Sequence, residues 1–250
     1  MPIKKPYRRT ARVFTDGAYS NSGKWKYILH RNYADSPDRF VRSFLLIQSD
    51  LVEIFKYIEP SDVNRNTYSH KTHELFLRTC VEVEANCTAI LKENGYSRKG
   101  DWNMCDYKKI QQSHYLSMYK VKIPYWHGDE GVRTPFSAWE SEGKLDWYTS
   151  YNNVKHDRHN NFEQANFKNL IEAVCALGAL ISSQFIDNDF SPGGFGLSVN
   201  PGIPDDGFEP AIGEFLQVAY PTDIPDEDKY DFSISDIDFS VDIFQNFVYR

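Results

Sequence analysis

The chain's 250 residues carry a net charge of −7, with 41% hydrophobic and 15% aromatic residues. That composition supports a sizeable core built from Phe and Tyr as much as from Leu. No apolar run reaches the roughly 18 residues of a transmembrane helix, and the basic start, MPIKKPYRRTARVF, lacks the apolar stretch of a secretory signal.

Residues 1–35 read as a basic N-terminal arm, crowded with Lys4, Lys5, Arg8, Arg9 and Arg12. At the other end, residues 186–250 hold 14 Asp or Glu against Lys229 and Arg250, a balance of −12, which leaves +5 on residues 1–185. A basic arm beside an acidic tail permits nucleic-acid contact by the arm. The same charges equally fit a solvated arm and tail that touch each other or nothing. Cys80, Cys87, Cys105 and Cys175 form no CxxC pair. Reduced thiols, three of them on apolar helix faces, point to a cytoplasmic protein.

A helical domain is expected over residues 36–185. In SPDRFVRSFLLIQSDLVEIFKYIEP, the residues Phe40, Phe44, Ile47, Leu51, Ile54 and Ile58 recur in steps of four and three. This spacing predicts a helix over residues 38–58, opened by Ser36, Pro37 and Asp38 and ended by Pro60. Phe76, Cys80, Val83, Cys87 and Ile90 repeat the pattern and predict a second helix over 68–94, with Gly95 closing it. The short join between the two implies antiparallel packing. Residues 96–146 form an irregular aromatic insertion, with a short strand expected at Met118 to Ile123 and loop beyond it. A third helix is predicted from about Asp146 to Arg158, with Trp147, Tyr151 and Val154 as its stripe. A fourth, from about Phe162 to Phe185, is apolar on nearly every side and marks the centre of the bundle. Residues 186–250 change character. SPGGFGLS reads as linker, EFLQVAYP as a strand, and YDFSISDIDFSVDIFQNFVYR as an exposed strand or extended tail. This extension is expected to wrap the bundle and add little to its core. The fold class expected is therefore mainly α, an antiparallel four-helix bundle with an acidic, loop-rich C-terminal extension.

The chemistry concentrates in YNNVKHDRHNN, just before the most hydrophobic helix. Asn152 and His156 lie four apart, and so do Lys155 and His159, so each pair shares a helix face. Asn152, Lys155, His156 and Arg158 then make a basic polar patch suited to an RNA backbone. A histidine can exchange a proton with a ribose 2′-OH, and a neighbouring Lys or Arg stabilises charge developing on phosphate. Glu82 on the second helix is a candidate to orient the histidine across the bundle, and Arg78 shares its face.

A four-helix core with YNNVKHDR immediately before its last long helix resembles the HEPN superfamily. The resemblance covers roughly residues 36–185, and FKYIEPSDVNRNTYSHKTHELFLRTCVEVEAN together with YNNVKHDR also resembles a group of uncharacterised bacterial proteins. It implies a helical homodimer and a metal-independent ribonuclease or RNA-binding component of a bacterial defence or toxin system. It also implies that His156 is the acid/base or 2′-OH-contacting residue, with Asn152 or Asn153 in the polar slot. The usual HEPN motif opens with an Arg, whereas the nearest Arg before His156 is Arg133, so Lys155 or Arg158 must serve in its place. No cofactor or metal is implied.

Two other readings fit the same residues, and a third is excluded. His70-x-x-His73 and His156-x-x-His159 could together supply four imidazoles to zinc. No GxSxG or phosphate-loop motif supports a nucleophilic hydrolase or a nucleotide-binding loop. Lys155, His156 and Arg158 in a last helical turn also complement the helix dipole without any further role, with Asn160 or Asn161 capping the next helix. In that case the chain is a non-catalytic dimerising or protein-binding module.

Overall fold

In a computed structural model, described over residues 1–190, 207–233 and 242–250, α1 (Pro37–Ile54) begins where Pro37 presets the backbone and Asp38 faces the exposed first-turn amides. Val41, Phe44, Ile47, Leu51 and Ile54 are buried along one face. The helix stops four residues before the predicted end, and Tyr57 and Ile58 both return their amides to the Ile54 carbonyl. α2 (His70–Glu93) opens on a capping box, in which Ser69 Oγ accepts from Thr72 N at 3.1 Å and Ser69 N donates to Thr72 Oγ1 at 2.7 Å. It closes at Gly95, whose φ of +79° suits glycine. α3 (Asp146–His156) buries Trp147, Tyr148, Tyr151 and Val154. α4 (Phe167–Phe185) starts five residues later than the spacing suggested, because the segment from Arg158 to Gln164 turns a corner first.

The pairings between helices fix their directions. Asp50 of α1 pairs with Arg78 of α2, and Asp35 just ahead of α1 bonds Glu93 at the far end of α2. α1 and α2 are therefore antiparallel. Tyr148 and Tyr151 of α3 reach Glu84, while Lys155 approaches the same carboxylate from the next turn and Tyr151 packs edge-on to Phe76. Thr67 bonds the start of α4, and Asn86 bonds Gln184 near its end, so α2 and α4 run parallel. The chain is mainly helical, and its four long helices alternate in direction around α4, which is buried along almost its whole length. Among the described residues, no helix is long and apolar enough to cross a membrane.

The tail departs from its expected role. β1 (Lys120–Lys122) from the insertion pairs antiparallel with β2 (Val132–Arg133) on one side and with β4 (Gln217–Ala219) on the other. β3 (Glu209–Pro210) completes a four-stranded sheet in the order β2-β1-β4-β3. Strands were expected at both β1 and β4, but not their union. Leu216, Val218, Tyr230, Ile243 and Phe244 are all buried in the main core. A Cβ on Gly178 of α4 would stand 3.2 Å from Leu216 Cδ1, so this glycine admits the tail. The reading of residues 186–250 as a surface wrap is thus corrected. SPGGFGLS, residues 191–198, and residues 234–241 of the alternating stretch lie outside the described residues.

The basic arm touches the acidic tail, as one reading of the charges allowed, but it is not solvated throughout. Ala11 N donates to Ser183 O of α4 at 2.9 Å, and Tyr230 N to Val13 O at 3.0 Å. Arg9 and Arg12 are fully buried. Arg9 bonds Glu93 Oε1 at 2.6 Å, Gln184 Oε1 at 3.0 Å and Asp35 O at 2.6 Å. Arg12 donates twice to Ser113 O, at 3.1 and 2.9 Å, and to Asp228 O at 2.8 Å. Lys4 and Arg8 pair with Asp231 and Asp242 of the tail. The insertion is irregular as expected, in elements of no more than five residues, and its Tyr107, Tyr119, Phe136 and Trp139 are core residues.

Candidate functional site: the corner between α3 and α4

The corner is built by amide side chains. Asp157 breaks α3 and caps the turn that follows, accepting from Asn160 N at 3.3 Å and Asn160 Nδ2 at 2.8 Å. Asn161 Nδ2 donates to Asp157 O at 2.8 Å, and Gln164 Nε2 to Asn161 Oδ1 at 2.7 Å. Asn153 Nδ2 reaches Gln164 Oε1 at 2.9 Å, and Asn169 Nδ2 reaches Gln164 O at 2.8 Å. The asparagines of YNNVKHDRHNN thus lock the backbone between the two helices. Asn153 is a scaffold residue here, and Asn152 beside it is half-buried.

With the amides occupied by one another, the basic side chains face outward. His156, Arg158 and His159 are exposed, and none of the three makes a hydrogen bond or ion pair among the described residues. Lys155 is the exception. Its Nζ lies 5.0 Å from the Tyr151 ring centroid and 3.9 Å from Glu84 Oε1. The Tyr151 hydroxyl raises its pKa most, burial opposes this, and Glu84 adds to the rise, so Lys155 stays charged.

Glu84 is the carboxylate that meets α3. It accepts from Tyr148 OH at 2.6 Å and Tyr151 OH at 3.5 Å. Glu82, the expected partner of His156, lies elsewhere. It lines a groove between α1 and α2 with Arg39, Ser43 and Ala85, and burial raises its pKa against the pull of Ser43 and Arg78. Two residues along a helix are about 200° apart around its axis, so Glu82 and Glu84 serve opposite neighbours. Glu84 was legible in outline, since it stands four residues after Cys80 at the edge of the buried stripe.

Arg133 does not supply the missing upstream Arg. It is 5% exposed, and its Nη1 holds Glu130 Oε2 at 2.8 Å and Glu172 Oε1 at 3.3 Å. Its guanidinium lies 4.7 Å from the Trp126 ring centroid. That network ties β2 to α4 and leaves the arginine committed.

The remaining histidines form a layer of their own. His70 and His73 both pack on Phe162, at 4.9 and 5.2 Å between ring centroids. Burial lowers the His73 pKa first, and the nearby charges of Arg158 and His70 lower it further. The four imidazoles do not converge, and no group of three or more His, Cys, Asp or Glu positioned to hold a metal occurs among the described residues. Phe162, which organises this layer, carried no signal in the sequence beyond its place ahead of α4.

Comparison with models of protein families, with curated proteins and with solved structures returned no match.

Proposed function

We propose that this chain is a HEPN-like helical protein that binds RNA through the corner between α3 and α4, and that a single chain does so without cleaving it. The observation that carries this reading is the outward display of His156, Arg158 and His159 on a backbone fixed by its own asparagines. Such a display suits phosphate oxygens, which any RNA sequence offers. The alternating helices and the place of the polar motif ahead of α4 support the HEPN-like part. Binding is favoured over cleavage because a general acid/base needs a partner within hydrogen-bond reach, and no described residue gives His156 one. In this reading a second copy of the chain is the source of any further cation.

The test is fluorescence anisotropy with labelled RNA across a salt series. Wild-type binding should weaken steeply with salt, and Lys155→Ala and Arg158→Ala should each lower the log–log slope by about 1. His156→Ala should weaken binding with no cleavage to lose. Absence of binding ends the RNA reading, and cleavage abolished by His156→Ala replaces it with the nuclease. A non-catalytic interaction module is the second reading, favoured by the outward Leu46 and Val81, which are 56% and 50% exposed on α1 and α2.

A further inference from the structure

A cavity of about 400 Å³ lies between the chain around β2, the start of α3 and the first turns of α4, and it shares no residue with the basic display at the corner. Its size is at the small end of the roughly 300–1,000 Å³ of small-molecule sites. The buried part of its lining comes from all three elements. Arg133 and Pro135 enter from β2 and the loop after it, Leu145 and Trp147 from the start of α3, and Asn169 from α4. Trp147 Nε1 donates to Pro135 O at 3.0 Å, which orients the indole and ties the loop to α3.

The charges that line the cavity are only partly matched by one another. Arg133 meets Glu130 and Glu172, both lining residues, through Nη1 alone. Its Nε and Nη2 are buried and reach no acceptor. Buried donors without acceptors cost free energy, and a guanidinium removed from water acts on its surroundings with little screening. Burial raises the Glu172 pKa against the pull of Arg133 and Lys168, so this carboxylate would gain from a further positive charge. The remaining lining charges are Lys144, Lys168, Asp129 and Asp146. All four are exposed, and none has a side-chain hydrogen bond or ion pair among the described residues.

We propose that this cavity binds a free α-amino acid with an apolar side chain. Unpaired charges of both signs around one small cavity match a ligand that carries both signs. The ligand carboxylate is drawn by Lys144 and Lys168, with Arg133 adding its attraction. The ammonium group is drawn by Asp129, Asp146 and Glu172. A simple anion would be attracted by the lysines and repelled by the carboxylates, and a simple cation would meet the reverse. Pro135, Leu145 and Trp147 offer buried apolar surface to the side chain of the ligand. The inference stands apart from the RNA reading, because it uses none of the side chains assigned to RNA.

The experiment measures thermal shift and calorimetric binding of the full chain with leucine and phenylalanine. At least one of the two should raise the melting temperature by an amount that grows with its concentration. Isoamylamine and 4-methylpentanoate each keep one charge of leucine, and phenethylamine and 3-phenylpropanoate each keep one charge of phenylalanine. These analogues should bind about tenfold more weakly or worse, since each loses one charged contact. Lys144→Ala combined with Lys168→Ala should weaken the amino acid by a similar factor, and so should Asp129→Asn combined with Asp146→Asn. All four side chains are exposed, so the melts without ligand should stay near wild type. The analogue comparison uses the wild-type chain and decides the question even if a variant melts early. No shift with either amino acid overturns the proposal. So does a single-charge analogue that binds as tightly as its parent, or binding unchanged in both double variants.

Discussion

Two runs of positive charge in this chain meet opposite fates. Arg8, Arg9 and Arg12 near the N-terminus are drawn inward, with Arg9 and Arg12 lying fully buried. Lys155, His156 and Arg158 at the corner remain exposed. The sequence presents them alike, as short clusters of cations among polar residues. The difference lies in what receives them. Arg9 and Arg12 find backbone carbonyls from Asp35, Ser113 and Asp228, together with the Glu93 carboxylate. At the corner Lys155 meets Glu84 and Tyr151, the acceptors of Asp157 and Asn161 are spent on neighbouring amides, and His156 and Arg158 are left for solvent or a ligand. Arg9 and Arg12 find protein acceptors in place of the water they lose, whereas an exposed guanidinium keeps its water.

The largest effect should come from removing what encloses the first run. Ending the chain before Asp187 deletes Leu216, Val218, Tyr230, Ile243 and Phe244 from the core, and Asp228 and Asp242 from the arginines. Cooperative thermal unfolding should disappear from this truncation, as followed by circular dichroism. A cooperative melt near the wild-type temperature would show that the N-terminal cations do not depend on the tail.

Next in size is Arg9→Ala. The substitution removes a side chain that bridges α2, α4 and the turn before α1, and it leaves Glu93 with the Asp35 amide but no counter-charge. Breaking a buried pair in this way costs about 3–5 kcal/mol. Urea titration should show that loss in midpoint stability, and a change under about 1 kcal/mol would place Arg9 with the exposed cations.

A third measurement uses pH. His114 is buried beside Arg9 and Arg12, with Nδ1 2.7 Å from Ser113 Oγ and Nε2 2.8 Å from the Arg9 carbonyl. Burial foremost, with help from the two arginines and against the backbone carbonyls of Arg9 and Ile110, pushes its pKa down to about 3. A histidine depressed in the fold contributes its stability above the unfolded pKa of about 6.5 and loses it as pH falls toward the folded value. Each pH unit below about 6.5 should therefore cost roughly 1.4 kcal/mol. Urea titrations between pH 7 and pH 4.5 should show that slope, and His114→Gln should flatten it. An unchanged slope in His114→Gln would assign the acid sensitivity to other groups.

These cases show where sequence reading reaches its limit. The α1 stripe, the close of α2 at Gly95 and the burial of α4 all follow from local spacing, and each stands where the periodicity put it apart from frayed ends. The directions of the helices follow too, because short joins leave little choice between α1 and α2. The fate of Arg9 did not, since its acceptors come from residues 26, 84 and 175 positions away. Tail burial was hidden for a similar reason. Its acidic count describes the exposed residues, while the buried ones are scattered singly as Leu216, Val218, Tyr230, Ile243 and Phe244. At the site, the exposure of His156 was legible from helical spacing opposite Trp147 and Tyr151. The choice of Glu84 over Glu82 depended on the rotation of α2 against α3, which no single helix reports.

The smallest effect on stability should be at the corner itself, and that smallness is informative. Arg158→Ala removes an exposed side chain with no hydrogen bond or ion pair among the described residues, so the melt should move by less than about 0.5 kcal/mol. His156→Ala should behave alike, except for a small loss of the favourable charge at the end of α3 whenever the imidazole is protonated, worth about 0.3–1 kcal/mol. Asn153→Ala is the internal control. Asn153 donates to Gln164 and so helps fix the corner, and its loss should cost about 1 kcal/mol. If Asn153→Ala destabilises while Arg158→Ala does not, the asparagines hold the corner and the cations are free to meet something else. If Arg158→Ala destabilises as much as Asn153→Ala, the cations are part of the scaffold, and the contrast between the two charged runs disappears.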